Sequence, residues 1–279
     1  MLLTWKELQA VDFGETEWWV EDLIPAGGTV LVWGKESIGK TPICWYLARD
    51  IALGEPFFGY KTKQGRVLFI ELDMPPRYTQ KRLRNLPFPD GVRFELDDRP
   101  VVDLSDEGMI TRFADAAAWR PDVVFVDSLR KAHPLDDKAS ETPSIVYNAY
   151  RRMFEGATLV FIHHERKTAK DDDRPGNESY SGSRAWSNDC EVGLWLEELK
   201  QAKFPLKLEI ARNKIGEKGV AGRFHLADGY LLTIEASPDL LATLIEEYEG
   251  MELVEEVRKH FHCSRATAFR RIAEAKAKS

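Results

Sequence analysis

The segment from Thr29 to Leu53 constrains the fold more than any other stretch. It reads TVLVW, then GKESIGK, then TPICWYLARDIAL. A short, unbroken apolar run such as Thr29 to Trp33 is what a strand buried on both faces requires. From Pro42 to Leu53, Ile43, Leu47 and Ile51 recur at helical spacing, and Gly54 follows as a stop. Pro42 is tolerated because the first helical turn has no amide partner to lose. Between strand and helix lies Gly34-x-x-x-x-Gly39-Lys40-Thr41. Backbone amides of a glycine loop in that context point inward and cradle phosphates. On this reading Gly34, Lys35, Glu36, Ser37, Ile38, Gly39, Lys40, Thr41 and Pro42 line a nucleotide. Lys40 reaches its β- and γ-phosphates, and the Thr41 hydroxyl binds Mg²⁺. ATP and Mg²⁺ are the expected cofactors.

The alternation continues downstream. Arg66 to Asp73, Asp122 to Asp127 and Ala157 to His164 are apolar runs ending in polar residues. Helical patterns lie at Arg77 to Leu86, Glu107 to Trp119 and Ser144 to Phe154. Strands alternating with helices imply a mostly parallel sheet covered on both faces. From Asp189 the texture changes. Cys190 to Leu196, Leu206 to Arg212, Gly222 to Leu226 and Tyr230 to Ile234 read as strands joined by short turns, an antiparallel extension. After the linker Glu235 to Asp239 everything reads helical. The expected division is therefore an α/β domain over 1–236 and a small all-α, helix-turn-helix-like domain over 237–279.

Composition excludes several classes. With 43% hydrophobic and 30% charged residues the chain builds a core and is not a disordered tract. No run approaches the roughly eighteen apolar residues of a membrane span. Met1 to Ala10 lacks the layout of a signal peptide, so a soluble, cytoplasmic protein with no membrane contact is expected. Cys44, Cys190 and Cys263 are scattered, without zinc-ligand spacing, as reduced structural thiols would be. A net charge of −7 makes any nucleic-acid contact a local one.

Chemistry concentrates where the strands end. Asp127 closes the run Val123 to Val126, where a second acidic residue holds the hydration shell of a metal, or else caps the segment beginning at Ser128. Residues alternate along a strand, so Glu71 and Asp73 are expected on one face, beside the glycine loop, positioned to orient an attacking water. His163 and His164 close the fourth run. A polar group there can sense the terminal phosphate; the alternative is a structural histidine pair.

In this order the four stations resemble the RecA-like ATPases, and within them the hexameric helicase branch typified by RepA and DnaB. The resemblance spans roughly Trp19 to Ile234. Its motifs are Gly34 to Thr41, the Glu71-Leu-Asp-Met-Pro-Pro76 turn, Asp127-Ser-Leu-Arg130 and Ile162-His-His-Glu-Arg-Lys167. It implies that Asp73 stands at the position of the family's catalytic glutamate, one methylene shorter, with Glu71 close by. It also makes His164 the polar sensor. The segment Ile210 to Gly219 resembles the family's basic-x-basic stretch, which implies that Arg212 and Lys214 complete a neighbouring subunit's site. A lysine there lacks the bidentate fork of arginine. Self-association into a ring, with a hexamer as the family form, is the further implication.

Two loops are candidates for nucleic acid. Glu165 to Trp186 is long and polar and carries Arg166, Lys167, Lys170, Arg174 and Arg184. It matches in place the central-channel loop of RecA-like rings. Ser128 to Thr142 carries Arg130, Lys131 and Lys138. Single-stranded DNA is the expected partner, bound in a sequence-tolerant, salt-sensitive way. In the tail, Ser264 is a good N-cap and Ala266 to Ile272 resembles a recognition helix. Arg265, Arg270 and Arg271 are available there for duplex DNA, or for a replication protein. Four functions are compatible: a ring-forming DNA motor of plasmid or phage type, a RecA-fold ATPase that does not unwind, a small-molecule kinase, and a DNA-binding regulator controlled by ATP. The kinase has least support, because no arginine-rich lid is present.

Overall fold

The computed structural model describes residues 1–97, 101–164, 185–200, 202–235, 238–261 and 263–277. The chain opens with α1 (Trp5–Ala10) and a ribbon of β1 (Trp18–Val20) and β2 (Ile24–Pro25). Then follow β3 (Thr29–Gly34), α2 (Lys40–Leu53), β4 (Val67–Glu71), α3 (Pro76–Leu83) and β5 (Val92–Leu96). Next come α4 (Asp106–Ala118), β6 (Val123–Asp127), α5 (Thr142–Met153), β7 (Thr158–His164) and α6 (Ala185–Asn188). The last strands are β8 (Val192–Glu198), β9 (Leu206–Asn213), β10 (Gly219–Leu226) and β11 (Leu232–Ile234). Three helices close the chain: α7 (Pro238–Glu247), α8 (Gly250–Phe261) and α9 (Arg265–Lys276).

Nine strands make one sheet in the order β11-β10-β9-β8-β3-β7-β6-β4-β5. Strands β8, β3, β7, β6, β4 and β5 run parallel, and β9, β10 and β11 are added antiparallel. Period-two alternation divides the core into two layers. Val30, Val32, Val67, Phe69, Val123, Phe125, Val160 and Ile162 pack with α2 on one face. Leu31, Trp33, Leu68, Ile70, Val124, Val126, Leu159 and Phe161 pack on the other, with Met109 and Phe113 of α4 and Val146, Tyr147 and Tyr150 of α5. Both faces being buried, these strands carry no polar alternation until their last residues.

Within the main sheet the structure departs from the sequence reading at three strands. Cys190 to Leu196 was expected in the antiparallel extension, yet β8 runs parallel to β3, from Val30↔Val192 to Gly34↔Leu196. The long chain between His164 and Val192 supplies the crossover that a parallel neighbour needs. The edge strand β5 was not expected. Its exposed Arg93 interrupts the apolar pattern, as an edge strand permits. Strand β4 ends at Glu71 rather than Asp73, because Leu72 N–H turns to the carbonyl of Asp127 at 2.6 Å and the chain bends.

The tail helices pack against the antiparallel end of the sheet. Leu241, Leu244, Leu253, Val254, Val257, Phe261, Ala268 and Ile272 join the core layer that also holds Leu232 and Ile234. Ser264 caps α9, accepting from Thr267 N–H at 3.2 Å, as its sequence position suggested. Among the described residues no helix is long and apolar enough to cross a membrane.

Candidate functional site

The parallel register lines up one edge. Gly34 of β3 sits beside His164 of β7, and Asp127 of β6 beside both Ile162 of β7 and Glu71 of β4. Four adjacent strands thus deliver their polar C-terminal residues side by side, where ligands bind in open α/β sheets.

The glycine loop leaves β3 and enters α2 with Ser37 and Gly39 at positive φ, 60° and 105°. Glycine suits the second position because an added Cβ would lie 2.5 Å from Leu226 Cδ1. At Gly34 it would lie 2.5 Å from the Leu196 carbonyl oxygen. Leu196 of the parallel strand β8 and Leu226 of the antiparallel strand β10 therefore lie against the loop, a contact no local sequence pattern announces. Lys40 opens α2 and is buried, its Nζ donating to the carbonyls of Gly34 (3.0 Å) and Lys35 (2.7 Å). Thr41 donates its hydroxyl to Asp127 Oδ2 at 2.5 Å. A hydroxyl and a carboxylate in contact are the hard oxygen donors that fit Mg²⁺ at a phosphate site. Burial, then the charge of Asp73, pushes the Asp127 carboxyl up, to about 6.

Glu71 is fully buried, whereas Asp73 lies exposed in the bend beyond the strand. Glu71 Oε1 accepts from the amides of Asp73 (3.0 Å) and Met74 (3.2 Å). Its Oε2 is also buried and makes no hydrogen bond with a described residue. Burial and the neighbouring Asp127 charge push its carboxyl up, to about 8. A signal for the turn existed in the sequence: a carboxylate two and three residues ahead of free amides, just before Pro75-Pro76. His164 is half-buried, and burial and then Lys40 hold its imidazole below its usual value, which keeps it neutral at pH 7. His163 is buried against Trp186, ring centres 5.8 Å apart. Trp186 also stacks on buried His133 (5.4 Å) and donates its Nε1–H to the Asp137 carbonyl (3.2 Å).

Other sequence candidates lie elsewhere. Arg212 pairs in register with Gly193, and Lys214 N–H bonds the Glu191 carbonyl, at the opposite edge of the sheet from Gly34 and Leu196. At about 3.3 Å per residue this is on the order of 10 Å or more from their own chain's glycine loop. Arg212 Nη1 donates to Asn188 Oδ1 at 3.1 Å. On α9, Arg265 donates to Met251 Sδ (3.1 Å) and Arg270 faces Glu274 (3.9 Å). Arg271 turns inward, donating to the Ile234 carbonyl (2.7 Å) over the Phe261 ring. Arg130, Lys131 and Lys138 are exposed. Arg166, Lys167, Lys170, Arg174 and Arg184 lie outside the described residues.

A family model described as an AAA domain matches residues 2–170. No curated protein matches the sequence. The structure is similar to a solved ATPase domain, with TM-score 0.56 and 13% identity over 81% of this chain and 93% of that one. It is also similar to a KaiC-like protein from the hyperthermophilic archaeon Pyrococcus horikoshii, with TM-score 0.51 and 13% identity over 78% and 94% of the respective chains. At such identity the likeness speaks for the fold. Together with the glycine loop and the polar edge beside it, these matches establish that the chain belongs to the AAA domain family and carries the RecA-like ATPase fold.

Proposed function

We propose that this chain is a Mg²⁺-dependent ATPase acting as a nucleic-acid motor, a ring-forming replicative DNA helicase of plasmid or phage type. The observation that carries the reading is the single row formed by Lys40, Thr41, Asp127, the Glu71–Asp73 turn and His164 at the edge of four parallel strands. Lys40, presented by two loop carbonyls, would meet the β- and γ-phosphates. Thr41 and Asp127 would hold Mg²⁺, which when bound neutralises charge on the phosphate oxygens. A carboxylate of the 71–73 turn orients the attacking water. His164 reports the γ-phosphate to the loop that follows β7.

The position of Arg212 and Lys214 across the sheet from their own loop supports a role in the site of a neighbouring copy. An interface between unlike faces that closes on itself makes a ring, and a hexamer is the proposed form. Single-stranded DNA would run along the 165–186 and 128–142 segments. The tail, taken as a unit over 237–279, would meet duplex DNA or a replication protein through Arg265 and Arg270. Three free cysteines fit a reducing cytoplasm.

The test is steady-state ATP hydrolysis with and without single-stranded DNA at two salt concentrations. Strong, salt-sensitive stimulation is expected, since phosphate contacts release counterions. Hydrolysis indifferent to DNA would overturn the motor and favour a RecA-fold ATPase that loads or regulates. The similarity to a KaiC-like protein keeps that second reading in play.

A further inference from the structure

Between β4 and α3 the chain has few hydrogen-bond donors to place. Pro75 and Pro76 have no N–H, so the amides of Leu72, Asp73 and Met74 are the only backbone donors in the turn. All three are taken by the strand ends beneath them. Leu72 N–H goes to the Asp127 carbonyl at 2.6 Å, and Asp73 and Met74 N–H both go to Glu71 Oε1. Pro75 then caps α3, whose first residue is Pro76, so the far side of the turn is stiff as well.

We propose that Glu71 is a positioning residue, its buried carboxyl group clamping the Asp73–Met74 turn so that Asp73, and not Glu71, meets the attacking water. The inference rests on the ATPase reading and divides the labour within it. Glu71 is fully buried and already spends one oxygen on two amides; Asp73 is exposed at the same edge. Asp73 directly follows Leu72, whose amide is bonded to the Asp127 carbonyl, so the backbone sets it beside the other members of the row. An aspartate has a short side chain with little reach, so its carboxylate goes where the backbone puts it. Misplacement of a reacting group by about 1 Å can cost a hundredfold in rate. A clamped turn is what a water-orienting aspartate at this position requires.

The experiment compares full-length wild type, Glu71→Gln, Glu71→Ala and Asp73→Asn. It reads kcat and KM for ATP, and hydrogen exchange at the amides of Asp73 and Met74. Glutamine keeps a carbonyl oxygen for the amides, so E71Q should retain amide protection and lose at least about tenfold less kcat than D73N. E71A should lose that protection and about 10- to 100-fold in kcat, with KM changed by no more than about threefold. D73N should lose about 100-fold or more in kcat with the amides still protected. If E71Q is as inactive as D73N, the charge of Glu71 itself meets the water and the proposal is wrong. If the amides exchange equally fast in E71A and wild type, there is no clamp, whether or not ATP is hydrolysed. Absence of hydrolysis in wild type with the clamp intact would instead sink the ATPase reading, and the role of Asp73 with it.

Discussion

The two ends of the sheet treat their charged residues differently. At the parallel end, Lys40 is held by loop carbonyls, Thr41 and Asp127 hold each other across two elements, and buried Glu71 is held by the amides of the turn that follows it. At the antiparallel end and on α9, arginines bond whatever lies near. Arg212 takes Asn188, Arg265 takes Met251, Arg270 faces Glu274, and Arg271 takes a backbone carbonyl. The first arrangement is of the kind that preorganisation requires, with dipoles fixed before any substrate arrives and buried from water. Of the arginines in the second, the exposed Arg265 and Arg270 can be re-aimed at small cost, because exposed ion pairs contribute about 1 kcal/mol or less.

Removing the parallel end's cation should produce the largest effect. Lys40→Ala is expected to lower kcat by about a thousandfold or more, because phosphate charge loses its preorganised partner. Phosphate release at saturating ATP checks this, and near-normal turnover would dissolve the contrast between the two ends. Next comes Arg212→Ala, with an expected kcat loss of about a hundredfold or more and unchanged nucleotide affinity if it completes a neighbour's site. Mixing Arg212→Ala with Lys40→Ala protomers should restore part of the activity, since some interfaces then contain one intact site. Failure of both the loss and the rescue would return Arg212 to an ordinary surface role.

A pH effect should be smaller. The carboxyl of Glu71 is raised in the folded state to about 8, above its unfolded value. The stability it contributes is therefore complete below the unfolded pKa and is lost as pH rises through about 8. In nucleotide-free protein Glu71→Gln should match wild type near pH 5 and exceed it near pH 9, by on the order of 2 kcal/mol in urea unfolding. A gap independent of pH would mean that the buried carboxyl titrates normally. The smallest effects belong to α9. Arg271→Ala should cost about 1–2 kcal/mol through its lost hydrogen bond and ring contact. Arg270→Ala should stay within about 0.5 kcal/mol while weakening retention of duplex DNA. Equal stability costs would show that the inward and outward arginines are not distinct.

Much of the parallel half was legible in residue order. Thr29 to Gly34, Val67 to Glu71, Val123 to Asp127 and Thr158 to His164 are apolar because both faces of each strand are covered, and that pattern is local. The short β5 was hidden because Arg93 and Glu95, on an edge strand, break such a run. The direction of β8 was hidden too, since an apolar segment reads alike whether its neighbour is parallel or antiparallel. On α9 the sequence presents Arg270 and Arg271 as equals, and only packing against Ile234 and Phe261 tells them apart.

By itself, then, the sequence determined which residues can form strands, where the glycine loop falls, and which polar groups end each apolar run. These follow from side-chain period and backbone sterics within a few residues. The tertiary structure decided which of those ends become neighbours, that Leu196 and Leu226 brace the loop, and that Glu71 is buried while Asp73 is exposed. Burial and long-range hydrogen bonding depend on strand order, and strand order joins residues such as Leu72 and Asp127 whose separation in the chain carries no signal.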